Sequence, residues 1–226
     1  MYEYRLRFSK EKDLKFLSHL ELIRTMERAF RRGQLPLAYS EGFHPHPKIS
    51  FGPALAVGIS SSDEYLDFQL LHDKEPDEII AVLNNSLPEG LRAIAISRFK
   101  HHAKPLNAVI NRASYAVVLK SNPAVQKKII EWLNQLCDLP ELIVSRYSKD
   151  GQKLVNIRPW LHNLTIEVIG LDTLEIRITG EIGSSGNLRP EDITGNIPEP
   201  VEVVNITRIG LWHEDGELVS KPLDLC

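Results

Sequence analysis

The chain has little cysteine: Cys137 and Cys226 are the two among 226 residues. Two thiols cannot supply the three or four ligands of an iron–sulfur cluster or of a cysteine-based zinc site, and they exclude a disulfide framework. The sequence also lacks a run of about 18 apolar residues, which a membrane-spanning helix would need. The N-terminal segment MYEYRLRFSKEKD has no apolar stretch typical of a signal peptide. We therefore expect a cytoplasmic protein that does not enter the membrane.

Charge is distributed unevenly along the chain. The formal net charge is −3. Residues 1–48 carry ten Lys and Arg against six Asp and Glu, whereas the remainder carries seventeen against twenty-four. A partner made of phosphates would therefore prefer the N-terminal portion.

Hydrophobic periodicity predicts two successive β-α-β-β-α-β patterns. Polar and apolar residues alternate from Glu3 to Ser9, which indicates a strand with Tyr4, Leu6 and Phe8 facing inward. A helix follows at Ser18, and Ser18 and Glu21 have the spacing of a capping box. Strands over 49–59 and 64–71, joined by a turn at 60–63, come next, followed by a helix over 77–87 and a strand over 91–99. The pattern recurs after Pro105 with an additional hairpin at 149–152. We predict an α+β protein of two tandem ferredoxin-like domains, residues 1–104 and 105–226, the second with an extra β-hairpin.

The first predicted helix has a basic face. Arg24, Arg28, Arg31 and Arg32 follow at i, i+4, i+7 and i+8, so they share one side, which we expect to lie opposite Leu20 and Ile23. Such a face can bind phosphates. Arginines near a helix C-terminus also interact favourably with the helix dipole, so a structural role is the alternative.

The segment AYSEGFHPHPKISF, residues 38–51, has neither helical nor strand periodicity. His44 and His46 point the same way in an extended chain and form a weak candidate metal site. No third ligand has a diagnostic spacing, so we expect no bound metal and no cofactor. His19, at the start of the basic helix, is a candidate general acid or base acting on RNA, and the two loop histidines are others. Packing of His19 beside Phe16 is the structural alternative.

A rigid docking loop is another interpretation of this segment. Tyr39, Phe43 and Phe51 offer flat surfaces for stacking, and Lys48 adds charge next to the basic helix. Pro45 and Pro47 restrict the loop and lower the entropy lost on binding. Aromatic side chains interleaved with basic ones suit single-stranded nucleic acid. The alternative is that these aromatic rings fill the core beneath the loop.

Several motifs between residues 5 and 67 resemble one family: RLRFS at residue 5, FLSHLE at 16, RAFRR at 28, LPLAYSEGFHPHPK at 35, SF at 50 and EYLD at 64. NIRPW at residue 156 and NLRP at 187 are later matches. The chain resembles the radical-SAM-linked bacterial proteins of unknown function, which also occur as the C-terminal domain of B12-binding radical SAM proteins. The resemblance implies partnership with such an enzyme. Because this chain lacks the three-cysteine cluster motif, we expect the radical chemistry to occur on another polypeptide.

These observations favour a noncatalytic module that binds RNA or presents a substrate to a radical SAM enzyme in RNA modification. A metal-independent endoribonuclease is the alternative, since the tandem architecture is similar to that of the CRISPR RNA-processing enzymes. A protein–protein adaptor is a third hypothesis, in which the same loop grips the radical SAM subunit.

Overall fold

The structure, a computed structural model, describes residues 1–99, 104–148 and 151–226. The chain divides into two compact units: unit 1 comprises residues 1–111 and 211–226, and unit 2 comprises residues 112–210. The predicted domain limits, 1–104 and 105–226, differ from this division at the boundary and at the C-terminus. That residues 1–104 and 105–226 fold as independent domains remains a prediction.

Unit 1 combines an antiparallel sheet with helices. Strands β1 and β3 pair along most of their length, β4 pairs with the other edge of β1, and β2 pairs with the far side of β3. The elements in chain order are β1 (Tyr2–Lys10), α1 (His19–Arg32), β2 (Ile49–Phe51), β3 (Ser60–Leu70), α2 (Pro76–Ser86), β4 (Leu91–Arg98) and α3 (Leu106–Val109).

The core of unit 1 lies between the sheet and the helices α1 and α2. Tyr4, Leu6 and Phe8 of β1 are fully buried there, which confirms the predicted inward face. Helix α1 contributes its buried positions at spacings of three and four residues: Leu22, Met26, Ala29 and Phe30.

Leu20 does not belong to this buried stripe, and the prediction that it faces away from the arginines is wrong. Its side chain is 54% exposed. Leu20 precedes buried Leu22 by two residues, about 200° around a helix, and precedes Arg24 by four. It therefore shares the solvent face with the arginines.

Unit 2 is also a mixture of helices and mainly antiparallel strands. Its sheet has the order β5-β9-β8, and β6 and β7 form a separate two-stranded hairpin. The additional hairpin is thus present, although Lys149 and Asp150 of its predicted turn lie outside the described residues. The elements are β5 (Arg112–Ser121), α4 (Pro123–Gln135), β6 (Ile143–Ser148), β7 (Gly151–Asn156), β8 (Leu161–Val168), β9 (Thr173–Glu181), α5 (Pro190–Thr194) and β10 (Val201–Asp215).

Strand β10 begins in unit 2 and ends in unit 1, where β11 (Leu218–Ser220) pairs with its last residues. The sequence patterns missed β11 and also missed α3. Both elements are short, with three and four residues, so neither contains enough residues to show a hydrophobic periodicity.

Two sequence predictions near β3 are wrong. The strand predicted over 49–59 ends at Phe51, where Gly52 and Pro53 follow, and proline lacks the N–H that a strand ladder needs. The serine-rich stretch expected to form a turn at 60–63 is instead the start of β3. Its polar groups are compatible with burial because they are hydrogen-bonded; for example, the Asp63 N–H donates to Ser61 Oγ at 3.2 Å.

Across both units the described elements form a mixed α+β protein with mostly antiparallel strands. The longest described helix, α1, has 14 residues. None of the helices in the described ranges is long and apolar enough to cross a membrane.

Candidate nucleic-acid interface

Helix α1 begins with a reciprocal cap. The Glu21 N–H donates to Ser18 Oγ at 3.3 Å, and the Ser18 N–H donates to Glu21 Oε2 at 2.8 Å, which confirms the predicted capping box. The hydrogen bonds from Ser18 hold the pKa of Glu21 below its usual value. The cap therefore fixes where the helix starts and hence which side its arginines occupy.

The four arginines of α1 are exposed, but they do not all have the same surroundings. Arg32 Nη2 donates to the carbonyl oxygen of Ser86, at the end of α2, at 2.6 Å. Within the described part of the chain, no ion pair is found for Arg24, Arg28 or Arg31. Arg32 therefore has a structural contact, whereas the other three present their charge to solvent.

The loop over residues 38–48, here called the HPHP loop, is held at its base by backbone hydrogen bonds. Ser40 N–H donates to the His46 carbonyl oxygen at 2.8 Å, and Lys48 N–H donates to the Ala38 carbonyl oxygen at 2.8 Å. The His46 N–H donates to Ser40 Oγ at 3.0 Å. The two ends of the loop are therefore joined by the loop's own hydrogen bonds, and residues 41–45 form its tip.

The tip of the HPHP loop displays side chains to solvent. Phe43 is fully exposed and Tyr39 is 46% exposed, so the alternative in which the rings fill the core is wrong for both. Phe51 instead packs edge-on against buried Phe8, with 6.4 Å between ring centroids, so the alternative is right for this ring. Gly42, next to Phe43, has a φ of +118°, which an L-residue rarely adopts. His44 and His46 are exposed as well.

The base of the HPHP loop lies at the C-terminal end of β3. Leu71 N–H donates to the Pro36 carbonyl oxygen at 2.8 Å, and Ala38 N–H donates to the Gln69 carbonyl oxygen at 2.8 Å. Among the described residues, no hydrogen bond or ion pair joins an α1 arginine to the loop. That the two form one binding surface therefore stays a prediction.

His19, the candidate general acid or base, has an aromatic neighbour. The ring of His19 packs edge-on against Phe51, with 5.6 Å between ring centroids, instead of against Phe16, which is 60% exposed. Within residues 1–99, 104–148 and 151–226, no three potential ligands among His, Cys, Asp and Glu are close enough to bind a metal.

The face of the unit 1 sheet opposite the helices carries a row of polar pairs, here called the polar face. Glu3, Arg5 and Arg7 of β1 lie directly opposite Gln69, Asp67 and Tyr65 of β3. Their side chains project away from the core because residues of a strand alternate between its faces.

Arg5 is fully buried on the polar face and makes four hydrogen bonds. Its Nε and Nη2 donate to the two oxygens of Asp67 at 2.7 and 2.9 Å. Its guanidinium also donates to the carbonyl oxygens of Pro222 and Lys104, and it lies 5.1 Å from the centroid of the Phe99 ring. Four of its five N–H donors are thus used within the fold, and Arg5 connects β1 to the chain segments around residues 104 and 222.

Asp63 is a second buried group of this face. Its Oδ1 accepts from the Tyr65 hydroxyl at 2.8 Å and lies 2.6 Å from Arg7 Nε. Its Oδ2 accepts from the Leu211 N–H at 2.7 Å. Burial raises the pKa of Tyr65, and the neighbouring Asp63 charge adds to this effect. These contacts anchor the C-terminal part of the chain to β3.

A cavity of about 350 Å³ opens on the polar face. Gln69 Nε2 donates to Glu3 Oε1 at 2.6 Å beside it, and Gln69 Oε1 is buried with no hydrogen-bond partner among the described residues. An unpaired buried carbonyl costs about 1–3 kcal/mol. The cavity is lined by Glu3, Lys48, Ile49, Ser50, Asp67, Phe68, Gln69, Phe99 and Pro105.

Sequence reasoning missed this cavity, apart from Lys48. The signal was present in the strand alternation, which places every second residue of EYRLRFS and EYLDFQL on one face. The inward residues of these strands are apolar, whereas the outward set holds Glu3, Asp67 and Gln69. Phe99 and Pro105 come from other parts of the chain, and no local pattern brings them to the same place.

Comparison with protein-family models identifies the family. Residues 3–190 match the model of DUF2344, described as an uncharacterized protein conserved in bacteria. The chain belongs to this family. The matched range includes α1, the HPHP loop and the polar face, together with most of unit 2.

Comparison with solved structures gives a likeness of fold. A chain in the crystal structure of a Cbf5–Nop10–Gar1 complex is 12% identical, with a TM-score of 0.54. The match covers 94% of the present chain and 50% of that chain, so the DUF2344 protein spans about half of its length. No curated protein matches the sequence.

The later sequence motifs within the family range have structural contacts in unit 2. Arg158 donates from Nε to the Leu139 carbonyl oxygen at 2.9 Å and from Nη1 to the Leu161 carbonyl oxygen at 2.8 Å. Arg146 pairs with Asp192, donates to the Asn187 carbonyl oxygen at 2.6 Å and lies over the Trp160 ring. Residues of both motifs therefore have structural contacts in unit 2.

Proposed function

We propose that this DUF2344 protein is a noncatalytic module whose unit 1 binds single-stranded RNA and presents it to a radical SAM enzyme. The observation that carries the proposal is the exposure of Phe43 at the tip of an ordered, proline-stiffened loop. A fully exposed aromatic ring is available for stacking on an unpaired base.

The charge of α1 supports the RNA half of the proposal. Arg24, Arg28 and Arg31 are exposed and have no ion pair among the described residues, so their charge is free to bind phosphates. Ala38, the first residue of the HPHP loop, lies only six positions along the chain after Arg32, the last residue of α1. A strand of RNA can thus place a base on Phe43 and its phosphates along the helix.

A ferredoxin-like architecture is part of the proposal. The strand order β4-β1-β3, with β2 beside β3, and two helices on one face are typical of that fold. In unit 2, the order β10-β5-β9-β8 supports a second copy that carries the β6–β7 hairpin as an addition.

Partnership with a radical SAM enzyme rests on the resemblance of the motifs between residues 5 and 67 and on the cysteine content. Two cysteines cannot hold a three-cysteine cluster, so the partner would supply the radical chemistry. Co-purification of the protein with a B12-binding radical SAM enzyme from cells tests this half.

RNA binding is tested by fluorescence anisotropy with a single-stranded oligonucleotide over a range of salt concentrations. Each phosphate contact adds about 0.7 to the slope of log K against log salt, so changing Arg24, Arg28 and Arg31 to Gln should lower the slope by about 2. Phe43→Ala should weaken binding without changing the slope. No RNA binding at low salt would refute the RNA half, and loss of the enzyme partner alone in Phe43→Ala would favour an adaptor.

A further inference from the structure

The polar-face cavity contains a carboxylate held in place by a neighbour. Gln69 Nε2 donates to Glu3 Oε1 at 2.6 Å. Because a carboxylate only accepts hydrogen bonds, this contact sets the orientation of the Gln69 amide and fixes the position of Glu3. Each carboxylate oxygen has two lone pairs, so Glu3 can accept further hydrogen bonds from a ligand in the cavity.

The two carboxylates that line the cavity differ in their ion-pair partners. Asp67 is bound on both oxygens by Arg5. Glu3 has no cationic partner among the described residues. The cavity therefore favours a ligand that brings N–H donors to Glu3, because the charge of Asp67 is already paired with Arg5.

The rest of the cavity suits a flat ring attached to a phosphate. Phe99 and Pro105 supply apolar surface, and Arg5 lies over one face of Phe99. Lys48 lines the same cavity; its Nζ is 3.7 Å from Met1 Sδ and has no carboxylate partner in the described ranges. A volume of about 350 Å³ is at the lower end of small-ligand sites, which hold about 300–1,000 Å³.

We propose that this cavity binds one unpaired guanine base of the RNA. Guanine carries two neighbouring donors, N1–H and the N2 amino group, on its Watson–Crick edge, and together they match the two oxygens of a carboxylate. Adenine and cytosine place an acceptor nitrogen beside their amino group, and uracil flanks its N–H with two carbonyl oxygens. Each of those three bases would bring an acceptor against Glu3.

This inference deepens the proposed RNA-binding function, because it assigns a base preference to the same unit. The probes are the heptamers UUUGUUU, UUUIUUU and UUUAUUU, in which inosine (I) lacks only the N2 amino group of guanine. A bidentate contact to a base is expected to discriminate by about fivefold or more. We expect the affinities to fall in the order guanine, inosine, adenine.

Glu3→Gln is the decisive variant, since it replaces one acceptor oxygen by a donor at the same size. It should abolish the guanine preference and leave the melting temperature unchanged. Glu75→Gln is the matched control: the same change at an exposed position at the start of α2, where the side chain makes no capping hydrogen bond. It should preserve the preference. Equal affinity of wild type for the three heptamers, or an unchanged preference in Glu3→Gln, would overturn the inference.

Calorimetry with guanosine 5′-monophosphate separates this inference from the function on which it rests. If the heptamers do not bind but the nucleotide does, and Glu3→Gln weakens it about fivefold or more, the cavity assignment stands and the RNA-binding proposal fails. If the heptamers bind without a base preference, the RNA-binding proposal stands and the cavity assignment fails. If neither probe binds, both are overturned.

Discussion

Two sets of arginines in unit 1 have opposite environments. Arg5 on β1 is fully buried, with its donors directed at Asp67 and at backbone carbonyls. Arg24, Arg28 and Arg31 on α1 are exposed and have no ion pair among the described residues. The same side chain thus holds the fold together at one site and is available to a partner at the other, and the difference is set by which face of its element it occupies.

The largest expected effect is at the buried arginine. Arg5→Gln leaves the Asp67 carboxylate partly buried without its cation, so the free energy of unfolding should fall by about 3–5 kcal/mol. Urea denaturation monitored by circular dichroism measures this. The double change Arg5→Leu with Asp67→Leu should cost less than the single one, because no uncompensated charge remains. A loss below 1 kcal/mol for Arg5→Gln would show that the two arginine sets do not differ as described.

A smaller loss is expected for the corresponding arginine of unit 2. Arg146 pairs with Asp192 and donates to the Asn187 carbonyl oxygen, but its side chain keeps 16% exposure. Arg146→Gln should therefore lower the free energy of unfolding by about 2 kcal/mol, in the range of hydrogen bonds to charged groups. The same denaturation experiment applies, with exposed Arg177→Gln as the control. An effect as small as that of the control would place Arg146 with the surface arginines.

The cap of α1 should have an intermediate effect that depends on pH. Ser18→Ala removes the side-chain acceptor of the capping box and should cost about 1 kcal/mol at neutral pH. The pKa of Glu21 is lowered by its hydrogen bonds from Ser18, so its stabilising contribution is complete above the ordinary glutamate pKa and is lost as the pH falls through the lowered value. The difference between wild type and variant should therefore shrink in acid, which thermal unfolding from pH 7 to pH 3 checks. A difference that grows in acid would contradict the assigned cap.

The smallest stability effect is expected at the exposed arginines. Changing Arg24, Arg28 and Arg31 to Gln should alter the free energy of unfolding by no more than about 0.5 kcal/mol each, as is usual for surface positions. The melting temperature should stay almost constant while RNA affinity falls. Arg32→Gln, at the arginine bonded to Ser86, serves as the comparison within the same helix. A large fall in melting temperature for the triple variant would assign these arginines a structural role.

The sequence alone was sufficient for features that depend on neighbours along the chain. The capping box at Ser18 and Glu21, the buried face of β1 and the side of α1 that carries the arginines follow from spacings of two to four residues. Such spacings are fixed by the geometry of helices and strands, so they need no knowledge of the rest of the molecule.

Only the tertiary structure decided which polar residues are buried and which residues share a site. Asp63 was assigned to a turn, yet it lies in a strand because Tyr65, Arg7 and the distant Leu211 N–H satisfy its oxygens. The cavity that includes Glu3 likewise draws Phe99 and Pro105 from separate segments. Burial of a polar group is favourable only when its hydrogen-bond partners are in place, and partners more than 140 residues apart are brought together by the fold and not by any local pattern.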